Sequence, residues 1–283
     1  MWLQMALLPG YKSVMAAHRF WLTLAGSAAV VGSPIATLAL PAGAEPAFVD
    51  IADLTIAAPV IVHATIARAE RIADRDSPGL APGHARLLVT AAVEAAIAAP
   101  GAVPAELRWL WDVPLDARGK LDKRKNTAVM AWLAGPDPDG KTQLAGPDAQ
   151  QPWSPELDSL VRRLAAEAKS GTVPIITGVT NGFRADGTVA GESESQFFLS
   201  AADGGGVVMV VTTRPGLQRR VAVSRGDVID ESASAVKPET LLWYRLACQL
   251  PSTLPATAGG NDPELAADWQ AALASLGPCR RQG

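Results

Sequence analysis

The amino-terminal 44 residues carry almost no charge, and this feature decides where the folded part of the chain begins. Lys12 and Arg19 are the only charged residues before Glu45, and the largely apolar run after Arg19 ends in small residues at Ala44. A basic flank, an apolar stretch and a small-residue exit are typical of a secretory signal peptide. The sequence therefore predicts a signal peptide over residues 1–44 and export of the remaining chain.

The same segment has a second interpretation, an uncleaved membrane anchor formed by residues 20–40. An uncharged run of this length is sufficient to cross a bilayer, although Gly32 and Pro34 interrupt it. Translation starts at Met1 or at Met15, and the later start gives a signal peptide of ordinary length. Cleavage predicts a periplasmic or extracellular protein, whereas retention predicts a membrane-anchored one.

Export makes the two cysteines of the chain informative. Cys248 and Cys279 are the only cysteines, and both follow the predicted cleavage site. Oxidising compartments favour disulfides between such residues. We predict a Cys248–Cys279 disulfide, which closes a loop of about 30 residues and contributes roughly 3–4 kcal/mol to stability. The alternative is two free, buried thiols.

The composition excludes several classes of protein. Hydrophobic residues make up 48% of the 283 residues and charged residues 19%, so the chain is able to bury a core and is not disordered. The formal net charge is −3, and the predicted cleavage removes two basic residues and no acidic one. Because nucleic-acid-binding proteins usually carry a basic surface, we expect no nucleic-acid partner.

The first half of the exported chain, residues 45–150, has a pattern that predicts mostly strands between residues 48 and 135. Short β-branched and apolar runs separated by turn residues indicate a small antiparallel barrel or sandwich. A charged, glycine-containing loop at 116–125 separates the last two runs. The predicted strands are 60–66, 87–93, 107–113 and 127–133.

Five features of residues 50–134 follow one order: a lead-in at 51–54, a strand at 60–62, a strand at 107–113, a charged loop with Gly119 and a closing strand at 129–133. In this order the segment resembles the amino-terminal OB-like domain of exported proteins, of which metalloprotease inhibitors of the TIMP/netrin type are the best-known members. The resemblance implies an OB-like barrel. It does not imply inhibition, because those inhibitors chelate zinc through an N-terminal Cys and the predicted first residue here is a glutamate.

The second half, residues 151–283, begins at the end of a linker, residues 135–152, that is rich in Pro, Gly and Asp. Ser154 is a good helix cap, a proline follows it, and apolar residues recur at helical spacing until Gly171. Residues 173–230 return to strand patterns, and helices are predicted at 238–250 and from residue 262 onward. The predicted fold is therefore α+β: an OB-like antiparallel barrel, a linking helix, and a second antiparallel β unit closed by two C-terminal helices.

Two stretches resemble catalytic motifs without meeting their requirements. Residues 135–142 match the phosphate-loop pattern, but Pro136 and Pro138 lack the N–H groups that surround a phosphate. Residues 191–195 resemble a nucleophile elbow, but Ser195 occupies the position of the second glycine and a strand follows. We predict a surface turn and a polar turn, with no cofactor and no metal site.

Three residues are candidates for contact with a ligand, namely His63, Trp109 and Trp111, and His84 is a second candidate general base for a hydrolase. His63 and His84 are the only histidines after the predicted cleavage site. His63 is expected to be a packed side chain and His84 an exposed one. The alternative is that either belongs to a site assembled in three dimensions. Trp109 and Trp111 alternate with apolar residues, which favours a core position over a stacking platform.

The sequence thus predicts an exported envelope protein that binds an unidentified protein or small molecule. It favours a binding protein over an enzyme. The alternative is a secreted hydrolase whose site combines scattered carboxylates with His63 or His84.

Overall fold

The computed structural model describes residues 47–122, 124–146, 148–225 and 234–281, so the predicted signal peptide lies outside the described residues. The described residues belong to one compact unit. They form four α-helices and two antiparallel sheets, which confirms the α+β class. The elements are α1 (Phe48–Ala57), β1 (Val60–Arg71), β2 (His84–Ala98), β3 (Glu106–Pro114), β4 (Ala128–Leu133), β5 (Gln150–Pro152), α2 (Pro155–Ser170), β6 (Ile176–Asp186), β7 (Ser193–Ala201), β8 (Gly206–Thr213), β9 (Arg220–Arg225), α3 (Leu241–Gln249) and α4 (Pro263–Leu276).

The first sheet has the strand order β3-β2-β1-β4-β5 and curls into a half-barrel. The long strands β1 and β2 carry three register shifts along their pairing, and such irregularities bend a sheet and increase its twist. The concave side buries an apolar cluster that includes Val62, Ile66, Val89, Leu107 and Trp109.

Two further contacts link β3 to the chain that leads into β5. Arg108 donates its backbone N–H to the Gly140 carbonyl and accepts from the Thr142 N–H, each at 2.8 Å, in a parallel bridge. The buried indole N–H of Trp109 donates to Gln150 Oε1 at 2.8 Å. These bonds bring the two ends of the half-barrel close to one another.

The second sheet has the order β6-β7-β8-β9, and one face packs on α3 and α4. Residues of β7 alternate between buried and half-buried positions, as expected for a sheet with one covered face. Phe197 on β7 meets Trp269 on α4 edge to face, with ring centroids 5.0 Å apart. Gly182 on β6 is required by this packing, because a Cβ there would lie 2.9 Å from the Ala258 carbonyl oxygen.

Helices α1, α2 and α3 pack together in a third apolar cluster that draws on both halves of the chain. Ile51, Trp132, Val161 and Leu241 all belong to this cluster and are at most 1% exposed. The two predicted halves therefore share buried surface, and the division at residue 150 stays a prediction about folding units.

The structure corrects the sequence-based prediction in two places. The sequence pattern places residues 48–57 in a mostly β region, but they form α1, whose Val49, Ile51 and Ala52 are buried and whose Asp50 accepts from the Ala47 N–H at 3.2 Å. The predicted linker at 135–152 contains β5, which pairs with β4. Helix α1 is absent from the predicted elements, because ten residues with several β-branched side chains give only a weak helical periodicity.

Two other predictions are confirmed, namely the ends of α2 and the Cys248–Cys279 disulfide. Ser154 caps α2 by accepting from the Leu157 N–H at 3.1 Å, and Gly171 ends the helix in the left-handed conformation. Cys248 at the end of α3 forms a disulfide with Cys279, which follows α4. Within the described part of the chain, no helix is both long and apolar enough to span a membrane.

Candidate ligand-binding site

A cleft of about 620 Å³ lies between the first sheet and the loop that connects β3 to β4. We call it the β3–β4 cleft. Its walls come from the second half of β1, from β2, from the start of β3 and from the described residues of the loop. The volume falls in the range of small-molecule sites. Its polar lining consists of Arg68, Thr90, Glu106, Asp122, Arg124 and Lys125.

Hydrogen bonds order a turn at the first end of the loop and attach its other end to β1. Asp116 Oδ1 accepts from the backbone N–H groups of Arg118 at 2.9 Å and Lys120 at 2.7 Å, and Gly119 supplies the positive φ that this turn needs. At the other end, the Asn126 N–H donates to the Ile66 carbonyl of β1 at 2.8 Å. The cleft therefore has a defined wall in the free protein.

The charges in the cleft are only loosely paired. Arg68 lies 3.7 Å from Glu70, and Arg124 lies 3.7 Å from Asp122, distances at which exposed ion pairs contribute little. Among the described residues, neither Lys125 nor Glu106 has an ion-pair partner. The described residues that line the cleft thus include three basic and two acidic side chains, an excess of one positive charge.

Two hydrogen-bonding groups of the cleft have no partner among the described residues. The Arg124 guanidinium lies 5.2 Å from the Trp111 ring centroid, and its Nε is buried without a hydrogen bond. Thr90 is 4% exposed, and its side-chain hydroxyl makes no hydrogen bond within the described ranges. The Nε of Arg124 is thus a buried donor without a partner, and the Thr90 hydroxyl is a group left for water or a ligand.

The two tryptophans singled out from the sequence lie in different surroundings. Trp109 is 1% exposed and belongs to the concave core of the half-barrel. Trp111 packs at the edge of the same core, is partly exposed, and lies beneath Arg124. Of the two, only Trp111 has a ring contact with a charged residue of the cleft.

His63 lies away from the cleft, on the side of the first sheet that α2 covers. Its ring stacks on Trp153, with centroids 4.6 Å apart and planes inclined by 12°. Trp153 Nε1 donates to Asp158 Oδ1 at 3.4 Å, and Arg162 donates to both oxygens of that carboxylate. The hydrogen bond from Arg162 lowers the pKa of Asp158 below its usual value. His63 is thus part of an aromatic stack.

His84 begins β2, and its Nδ1 lies 3.1 Å from the Pro82 carbonyl oxygen. Within the described residues, no carboxylate is hydrogen-bonded to the imidazole of either His84 or His63. The structure does not bring these two histidines into one site.

The two motif-like stretches have structural roles. In the 135–142 loop, Asp137 Oδ1 accepts from the N–H groups of Asp139 and Lys141, so those donors serve a turn. Ser195 is fully buried in β7 and donates to Asp268 Oδ2 at 2.6 Å. Its hydroxyl is therefore engaged with α4 inside the protein.

Sequence reasoning misses the cleft residues, apart from those in the charged loop at 116–125. Arg68 and Thr90 are cross-strand neighbours, and this register is set by the bulges in the pairing of β1 with β2. No residue pattern predicts where such bulges fall. In the described part of the chain, no cluster of three or more His, Cys, Asp or Glu side chains is arranged to hold a metal ion.

No family model, no curated protein and no solved structure matches this chain.

Proposed function

We propose that this chain is an exported, non-enzymatic binding protein that takes a small-molecule ligand in the β3–β4 cleft. The observation that carries the proposal is the cleft itself, about 620 Å³ in volume, with Lys125 and Glu106 unpaired and the hydroxyl of Thr90 free of hydrogen bonds among the described residues. Convergent polar groups in a preformed concavity are the usual features of a ligand site.

Two features support export. The apolar, uncharged amino-terminal segment with its small-residue exit has the pattern of a signal peptide. The Cys248–Cys279 disulfide fits a protein that matures in an oxidising compartment. A membrane-anchored form follows only if the segment over residues 20–40 is retained.

The half-barrel is, in this proposal, an OB-like domain. Five antiparallel strands, the bulged pairing of β1 with β2, and the bridge from Arg108 to the residues before β5 support that assignment. OB-folds bind ligands on the face of their second and third strands. Thr90 of β2 and Glu106 of β3 both line the cleft, which agrees with that mode of binding.

Hydrolysis is the weaker candidate, because the described residues contain no histidine hydrogen-bonded to a carboxylate. A general base needs to be oriented within hydrogen-bond reach of its partner groups. His63 is instead stacked on Trp153.

Two measurements test the proposal. Fractionation and intact mass of the expressed protein should give a mature chain that starts near Glu45, and a mass that includes residues 20–40 would refute cleavage. Screening of neutral, cationic and anionic fragments against the ¹⁵N-labelled mature protein should shift the backbone amide signals of Thr90, Glu106 and Lys125. The signal of Val223 in the second sheet serves as the control and should stay unchanged. Binding confined to the second sheet, or no binding at the cleft, would refute the proposed site.

A further inference from the structure

We infer that the β3–β4 cleft selects small organic anions and binds their carboxylate or phosphate group through Arg124, Lys125 and Thr90. This inference rests on the proposed function, because it assigns a ligand class to the same cleft. The observations that carry it are the orientation of Arg124, the two further donors and the distribution of acidic side chains.

Arg124 is oriented by Trp111, whose ring centroid lies 5.2 Å from the guanidinium carbon. Contact between a guanidinium and an aromatic ring restricts the otherwise flexible arginine side chain and leaves N–H groups available for hydrogen bonds. The Nε of Arg124 has no hydrogen-bond partner, and one terminal nitrogen lies 3.7 Å from Asp122. Because Nε is itself buried, the donors that the guanidinium offers to a carboxylate or phosphate in the cleft are its terminal N–H groups.

Thr90 and Lys125 add two more donors to the same cleft. The hydroxyl of Thr90 belongs to a residue more than nine-tenths buried and has no hydrogen bond within the described part of the chain. Lys125 has no ion-pair partner there and follows Arg124 directly in sequence. An anionic group that contacts all three satisfies donors that the protein itself leaves free, whereas a cation gains none of these bonds.

The acidic residues limit how much negative charge the ligand carries. Asp122 competes with the ligand for Arg124, and Glu106 lines the cleft without an ion-pair partner among the described residues. With three basic and two acidic groups among its described lining residues, the cleft compensates about one negative charge. Ligands with a single anionic group are therefore favoured over polyanions, in agreement with the negative net charge of the whole chain.

Benzoate, phenyl phosphate and benzamide are suitable probes, because they share a ring and differ in the head group. We expect benzoate or phenyl phosphate to bind the mature protein about tenfold or more tightly than neutral benzamide, as measured by titration of the cleft amide signals. The tighter of the two anions identifies whether carboxylate or phosphate is the preferred group.

Three variants test the residues. Arg124→Gln should weaken anion binding by about tenfold or more, and Arg124→Lys should restore part of it because the charge returns without the planar donor pair. Thr90→Val should weaken binding several-fold while keeping the side-chain shape. Arg118→Gln is the matched control: it removes the same charge from the same loop, but Arg118 does not line the cleft. Near-ultraviolet circular dichroism shows whether each variant remains folded.

The outcomes separate this inference from the proposed function. Equal binding of benzamide and the anions in the cleft, with no effect of Arg124→Gln, would overturn the inference and leave the proposed function standing. An equal loss in Arg118→Gln and Arg124→Gln would also overturn it, because it shows general attraction to the loop. If neither these probes nor any neutral or cationic fragment shifts the cleft signals, the proposed function fails as well.

Discussion

Replacement of Asp268 by alanine should be among the most damaging single changes in the second half of the protein. Asp268 on α4 is 2% exposed, and its carboxylate accepts from the Ser195 hydroxyl at 2.6 Å. Arg219 lies 3.3 Å from one carboxylate oxygen, and Arg184 lies 3.8 Å from the other. This carboxylate therefore ties α4 to β6, β7 and the loop before β9.

The expected cost follows from what the substitution leaves behind. Ser195 is 0% exposed, so its hydroxyl would lose a charged acceptor and remain buried without a partner, at about 1–3 kcal/mol. Arg184 keeps Asp186 and Glu264 as ion-pair partners, and the half-exposed Arg219 is able to hydrogen-bond with water. Each arginine therefore adds little to the loss of unfolding free energy. We expect Asp268→Ala to lower the free energy of unfolding by about 1–3 kcal/mol, most of it from the buried Ser195 hydroxyl.

Urea unfolding of the oxidised protein measures this change. Glu264→Ala is the matched control, because Glu264 lies on the same helix and pairs with the same Arg184 but its side chain is 69% exposed. Its expected cost is below about 0.5–1 kcal/mol. The double variant Ser195→Ala/Asp268→Ala should lose less unfolding free energy than the sum of the two single variants, because each single change removes the same hydrogen bond. A cost for Asp268→Ala no larger than that of the control would refute the reasoning.

Three other changes have defined expected outcomes. Replacing both Cys248 and Cys279 by serine should lower the free energy of unfolding in urea by about 3–4 kcal/mol, and added reductant should then have no further effect. Glu167→Ala should cost about 1 kcal/mol in the same assay, because Glu167 Oε2 accepts from the Leu241 N–H at the start of α3 at 2.9 Å, whereas the exposed neighbour Lys169→Ala should change little. Burial and the hydrogen bond to Asp53 raise the pKa of Tyr244 from 10.0 to about 12, so phenolate absorbance should appear only near that pH. Because the folded pKa is the higher one, the stability that Tyr244 contributes is present below about pH 10 and is lost as pH rises towards 12, and Tyr244→Phe should abolish that loss. In the mature chain, from which the predicted cleavage removes Tyr11, a phenolate transition near pH 10 would contradict this reasoning.

Much of the fold is accessible from local sequence signals. Both ends of α2 are predictable, because Ser154, the proline after it and Gly171 act through the backbone of their own segment. The disulfide is predictable because two cysteines allow one intramolecular pairing. Strands are located within a few residues, although β1 and β2 continue well beyond their apolar runs.

What the sequence does not predict depends on tertiary contacts. Helix α1 is only ten residues long and is stabilised by burial against α2 and α3 more than by its composition. Residues 135–152 resemble a linker because they are rich in turn residues. The pairing of β5 with β4 and the hydrogen bond from Trp109 to Gln150 are tertiary contacts that this composition does not indicate. The cleft forms only when β1 and β2 pair in this register and the β3–β4 loop lies over them. Of its lining residues, only those of the loop, such as Arg124 and Lys125, belong to a segment whose charge is evident in the sequence.

The way the cleft is built bears on how it would bind. One wall is a bulged sheet, and the other is a loop in which Asp116 closes a turn at one end and Asn126 is hydrogen-bonded to β1 at the other. Trp111 already orients Arg124 before any ligand arrives. A site that is ordered beforehand loses little conformational entropy on binding, so modest contacts suffice for measurable affinity.

If the loop sets this order, Asp116→Ala should weaken anion binding several-fold without removing any group that lines the cleft. The Arg124 side chain should also be more mobile in this variant than in the wild-type protein. The reason is that the turn at Gly119 loses the carboxylate that accepts from two backbone N–H groups. Titration with benzoate measures the first effect, and ¹⁵N relaxation of the Arg124 Nε–H signal measures the second. Unchanged affinity together with increased mobility would mean that the sheet wall alone determines binding, and the entropic argument would then be wrong for this cleft.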